Sequence, residues 1–186
     1  MRKLPALIFT AAAGLAVAGL AGTALAAPAP KMPYKTMSEL PIVTMTVYDE
    51  KANADQVVDA AMARAKKNHK LLLIDFGGNW CPDCIVLHNL MLVPAMAKFV
   101  DAHYEVALVD VGRYDRNQDL TAHFGLTKRL EGVPALLVID PQTNKIINQD
   151  NVYALRTAGH QTPQDLADYL AHWTDPHPSK LADASN

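Results

Sequence analysis

Cysteine is scarce in this chain: 186 residues hold two, Cys81 and Cys84. A bridge between positions so close would remove little entropy from the unfolded chain, so stapling is a poor reason to keep them. An excess of positive charge is also lacking. Lys and Arg number 17 against 19 Asp and Glu, a formal net charge of −2, which gives no support for nucleic acid or an anionic membrane as partner. Beyond the first residues no apolar run is long enough to cross a bilayer. Internal repeats and low-complexity blocks are absent, and the length fits one ordinary domain rather than two.

What is present begins with a leader. Arg2 and Lys3 precede an uncharged Ala/Leu/Gly stretch that ends in Ala24-Leu25-Ala26, a small-x-small site of the kind signal peptidase cuts. Residues 1–26 are therefore expected to be a signal peptide removed near Ala26; retention as an anchor is the alternative, since the stretch nearly spans a bilayer. No Cys follows closely, so a lipid anchor has no attachment residue. The Ala-rich leader looks bacterial and points to the periplasm. Exported proteins normally meet an oxidising compartment, where cysteines tend to be paired as staples. Two cysteines at this spacing point to chemistry instead.

Residues 27–41 carry four prolines and read as a linker or extended arm. The alternation over 42–48 predicts a short strand. Val57, Val58, Ala61, Met62 and Ala65 recur at helical spacing, with Asn53 or Asp55 as cap. Residues 71–76 (LLLIDF), 106–111 (VALVDV) and 134–140 (PALLVID) read as buried strands. A helix starts inside the Cys motif and breaks at Pro94, with a further helical piece over 95–102. Residues 115–124 predict a helix stopped by Gly125, and 145–151 a strand beside 134–140. The last helix has Thr162 as N-cap, Pro163 at its first position, and Leu166, Tyr169, Leu170 and Trp173 along one face. The order is that of an α/β domain with a central sheet, from about 42 to 174, followed by a flexible tail over 175–186.

Trp80-Cys81-Pro82-Asp83-Cys84 follows a buried strand and opens a helix. Unpaired N–H groups and the helix dipole favour a thiolate there, and Pro82 suits a first turn where its missing N–H costs nothing. Cys81 is the expected nucleophile. Cys84, one turn inside, is placed to attack a mixed disulfide and release the product. Asp83 either opposes the thiolate or serves as a solvated first-turn acid.

These residues resemble the thioredoxin superfamily over about 55–173. The resemblance implies a thioredoxin-like fold, a central mixed β-sheet flanked by helices. It gives Asp75, six residues before Cys81, the role of a buried acid that helps deprotonate the resolving cysteine. It makes Gly132-Val133-Pro134 the cis-proline loop against the CxxC pair, with the Val133 backbone holding a substrate peptide as an added strand. Trp80, Pro82, Val133 and Pro134 are thus the expected substrate-binding residues. Residues 125–132 (GLTKRLEG) make a longer lead into that proline than is usual, a device that could shape partner choice. Val106 stands where thioredoxins place a lysine near the buried acid, which implies altered proton handling. The early helix break is similar to that of secreted thioredoxin-like proteins with a short active-site helix.

Plainer readings stand beside these. Asp75 could be a strand-end acid satisfied by hydrogen bonds, Trp80 could be packing, and most X–Pro bonds are trans. A metal site could add His88 to the two cysteines, but a tetrahedral site needs another ligand, and His69, His103, His123 and His160 are scattered. Covalent haem attachment fails because Ile85, not His, follows Cys84. Residues 110–119 lack calcium-loop spacing. The expected function is an exported thiol–disulfide oxidoreductase that reduces or exchanges disulfides of exported proteins, with a membrane thiol reductant as a natural electron source. Neither metal nor organic cofactor is required, since the dithiol carries two electrons. The alternatives are a disulfide-donating oxidase and a non-catalytic binding or chaperone-like module.

Overall fold

Residues 71–76 are too apolar to stay in water and too short for a helix of their own. In the computed structural model, which describes residues 25–175, they form the inner strand β1 (Leu71–Gly77). The expected signal peptide and tail fall almost wholly outside the described residues. β2 is Tyr104–Asp110, β3 Ala135–Asp140 and β4 Lys145–Ile146, in the order β2–β1–β3–β4. β1 runs parallel to β2 and antiparallel to β3, and β3 is antiparallel to β4. The sheet is mixed.

Strand alternation sends neighbouring side chains to opposite faces. Leu72, Ile74 and Phe76 pack with Val58, Ala61 and Ala65 of α1 (Ala54–Asn68). Leu73 packs on the other side with Leu87, Met96, Leu166 and Leu170. These come from α2 (Pro82–Met91), α3 (Pro94–His103) and α4 (Pro163–His172). Asn53 caps α1 by accepting the Gln56 N–H. Pro94 holds Val93 in an extended conformation and separates α2 from α3 with a bend of 83°. Thr162 and Asp165 form a reciprocal capping box ahead of α4, with Pro163 in its first turn. No single helix among the described residues is long and apolar enough to cross a membrane.

Four stretches differ from the expected pattern. The arm over 27–41 is held against α4: the Ala27 N–H donates to Thr174 Oγ1 at 2.6 Å, and Met32 N–H to Gln164 Oε1 at 3.0 Å. Met37 and Leu40 are buried in the core. Residues 42–48 are not a strand. Their main chain is bound by side-chain amides: Val43 and Thr44 donate to Asn89 Oδ1 at 2.7 and 3.1 Å, and Val47 and Tyr48 to Asn79 Oδ1 at 2.8 and 2.9 Å.

Residues 115–124 give only a 3-10 helix, Leu120–Phe124, ended by Gly125 at φ 91°. Ahead of it, Gly112, Tyr114 and Asn117 have positive φ. Asp110 Oδ2 accepts the Gly112 N–H, Asp115 Oδ1 accepts the Arg113 N–H, and Asn117 Nδ2 donates to Asp110 O. Asp and Asn side chains here take the backbone partners that a helix would need. The strand expected over 145–151 stops at Ile146, because Asn148 binds both Val138 N and Leu136 O at 2.8 Å.

Asn89 also donates to Thr44 O at 2.8 Å. Asn89→Ala would strand three part-buried main-chain groups, so a stability loss of about 2–3 kcal/mol is expected in urea denaturation, with faster proteolysis within 42–46. An unchanged midpoint would show that this segment needs no such support.

Candidate active site

β1 ends at Gly77, and four residues later the chain turns into α2. Cys81 is its N-cap, with extended backbone, and Cys81 Sγ accepts the Cys84 N–H at 3.3 Å. The sulfur takes the place that a Ser or Asp oxygen fills in an ordinary cap. Both cysteines are free thiols, Cys81 4% exposed and Cys84 0%. The hydrogen bond with the Cys84 side chain, helped by that backbone N–H, lowers the Cys81 thiol to about 7 against the opposing effects of burial and Asp83. The same pairing drives Cys84 the other way, well above its ordinary value, with burial and Asp75 adding to the rise.

The Val133–Pro134 peptide bond is cis. The Val133 carbonyl lies 3.6 Å from Cys81 Sγ and accepts its S–H. Trp80 remains 36% exposed, its indole N–H bound to Gly112 O, its ring beside Tyr114 and beneath the Arg113 guanidinium at 4.8 Å. Its ring packs against the loop that follows β2. Asp83 is bound: its Oδ1 accepts the Gly159 N–H at 2.8 Å, which ties the start of α2 to the segment before α4. The long loop 125–132 is fastened through Arg129 to Tyr114 O, through Leu130 N to Gln118 Oε1, and through Glu131 N to the Tyr153 hydroxyl.

Asp75 is 0% exposed, on the middle strand, between Leu108 and Leu136. Burial pushes its carboxyl up to about 7, with the Tyr48 hydroxyl acting against that rise and Cys81 adding to it. Tyr48 donates to Asp75 Oδ1 at 3.1 Å, while Oδ2 has no hydrogen-bond partner. Val106 pairs with Leu73, two positions away along β2 from the strand partner of Asp75. The polar partner of the acid is therefore a phenol from the segment before α1.

The structure thus brings Asp75, Trp80, Cys81, Pro82, Cys84, Val133 and Pro134 together around one helix start. Sequence reasoning missed Tyr48 and Asn79. Neither carries a spacing signal, since Tyr48 is far from the motif in the chain and Asn79 resembles any loop residue beside it. Among the described residues no group of three His, Cys, Asp or Glu side chains could hold a metal ion.

Residues 53–141 match a family described as thioredoxin-like. Over 82 residues the chain is 28% identical to a thioredoxin of Alicyclobacillus acidocaldarius subsp. acidocaldarius, covering 44% of this chain and 70% of that protein. The crystal structure of a disulphide isomerase from Xylella fastidiosa Temecula1 superposes with a TM-score of 0.63 at 32% identity, covering 69% of this chain and 97% of that one.

A carboxyl with a raised folded pKa favours folding while it is protonated. The advantage is full below the ordinary value of 3.8 and is lost as pH rises through about 7. The stability of reduced Asp75→Asn relative to wild type should therefore grow by about 4 kcal/mol between about pH 4 and about pH 8. A difference that stays flat in urea denaturation across that range would show that Asp75 ionises without penalty.

Proposed function

Since this chain belongs to the thioredoxin superfamily and is a thiol–disulfide oxidoreductase, we propose that it is exported to the bacterial periplasm and there reduces or exchanges disulfides of exported proteins through Cys81 and Cys84. The observation that carries the reading is the asymmetry of the pair: Cys81 Sγ caps α2 and faces the Val133 carbonyl, while Cys84 lies behind it, fully buried. The leader over residues 1–26 supports export. The superposed Xylella protein is described as a disulphide isomerase, which suits exchange as well as reduction.

The Cys81 thiolate attacks one sulfur of a partner disulfide. A bond forms between Cys81 and that sulfur, and the other partner sulfur leaves as a thiolate. Cys84 then loses its proton and attacks Cys81 Sγ, so that the partner leaves fully reduced and the Cys81–Cys84 disulfide remains. Two electrons have passed to the partner, with no organic cofactor or metal. A thiol reductant, membrane-bound in the natural version, restores the dithiol. Trp80, Pro82 and the Val133–Pro134 backbone form the surface on which an extended partner segment lies, Val133 offering main-chain pairing.

The degree of thiolate stabilisation favours reduction over disulfide donation. Cys81 is lowered to about 7, near the value of about 7 typical of thioredoxin, whereas a strongly oxidising pair needs a thiolate with pKa near about 3.5. The mature protein equilibrated with glutathione buffers should accordingly show a reduction potential near or below about −250 mV; a value near about −120 mV would reverse the direction. In cells Cys84→Ser should accumulate mixed disulfides through Cys81 with exported proteins, and Cys81→Ser should accumulate none. If Cys84→Ser traps nothing while Cys81→Ser retains function, the chain is a binding module.

A further inference from the structure

Tyr48 comes from a segment that makes no strand, yet its phenol is 1% exposed at the centre of the site. Three features hold it there. Its main-chain N–H and C=O bind the side chain of Asn79, two residues before Cys81, at 2.9 Å each. Its hydroxyl donates to Asp75 Oδ1 at 3.1 Å. Its ring crosses the end of β1 at Gly77, where a Cβ would lie 2.2 Å from the Tyr48 oxygen and 3.0 Å from Cys84 Sγ. The phenol and the buried thiol thus crowd one point that only a residue without a side chain leaves open. Burial, then Asp75, then Cys84 push the phenol well above its ordinary range, so it keeps its proton at any working pH.

We infer that Tyr48 is the proton bridge between Cys84 and Asp75 in the step that resolves the mixed disulfide. The phenol oxygen accepts the Cys84 S–H proton while the phenol O–H proton passes to Asp75 Oδ1. Cys84 becomes a thiolate, Asp75 a carboxylic acid, and Tyr48 ends as the phenol it was. The thiolate attacks Cys81 Sγ, the Cys81–partner bond breaks, and the partner departs with that electron pair. No further oxidant or reductant enters. The inference rests on the redox reading above and adds to it the route by which the buried cysteine is deprotonated. The titratable groups that face Asp75 are Tyr48 from the N-terminal segment and Cys81 and Cys84 from α2; its neighbours on β2 and β3 are Leu108 and Leu136.

The test is stopped-flow reaction of the reduced protein with substoichiometric dithiobis(nitrobenzoate). Attack by Cys81 releases one aromatic thiolate, and attack by Cys84 on the mixed disulfide releases the second. In Tyr48→Phe, which keeps the ring, the first phase should be unchanged and the second about tenfold slower at neutral pH. Loss of the hydroxyl also withdraws a donor from the carboxylate, so the midpoint of the second phase should move to higher pH. In an Asp75→Asn background the same substitution should change neither rate nor midpoint. An unaltered second phase in Tyr48→Phe, or equal slowing in both backgrounds, would overturn the bridge. Absence of the first phase in wild type would instead overturn the redox reading on which it stands.

Discussion

A strand paired along both edges and covered on both faces is a poor place for a charge, yet β1 carries Asp75 in its middle at 0% exposure. Ionised and unpaired, a carboxylate in such surroundings would cost several kcal/mol. The carboxyl therefore holds its proton to about pH 7 and sits in the core as a nearly neutral group. The rest of the site is arranged about that constraint. β1 ends just past Asp75, the loop that follows returns as α2, and the first turn of α2 sets Cys84 against the acid. Tyr48 supplies a neutral donor where a lysine would have ionised the carboxyl outright.

Neutral partners recur throughout the molecule. Asn79, Asn89 and Asn148 each present a side-chain amide to main chain that has no neighbouring strand. An amide offers both a donor and an acceptor, as a peptide group does, so one residue can satisfy what a strand would have satisfied with two. Each lies beside something the site uses. Asn79 fixes Tyr48, Asn89 fastens the segment leading to it from the back of α2, and Asn148 ends the sheet so that the chain can cross towards Gly159 and Asp83.

Local signals made about half of this legible. Helices α1 and α4, strands β1 to β3, the break at Pro94 and the CxxC helix start follow from periodicity, caps and proline, which act within one or two turns. The Val133–Pro134 turn and the acid before the motif came through the resemblance. The missed parts have a common cause. Alternation over 42–48 is compatible with a strand, but a strand needs a partner, and the partner turned out to be two asparagines elsewhere in the chain. Residues 115–119 contain enough Asp and Asn to bind their own backbone, which outweighed helical spacing. Tyr48 became a neighbour of Cys84 only through the fold, which no pattern near Tyr48 announces.

The two thiols of the motif are chemically alike in the chain and become unlike through position alone. The largest gain at Cys81 is also the largest loss at Cys84, because the hydrogen bond between the two thiols stabilises negative charge on one sulfur at the expense of the other. Such a pair starts readily and finishes slowly unless the second thiol has its own base. A solvent-facing base would not serve, since Cys84 is fully buried. The base has to lie inside the sheet, be neutral enough to live there, and ionise near working pH. Asp75 meets these three conditions, and the bond that Tyr48 donates to Oδ1 is the path by which the proposed bridge delivers the proton. On the proposed route the acid in the strand and the cysteine in the helix belong to one device, and burial raises the proton affinity of both.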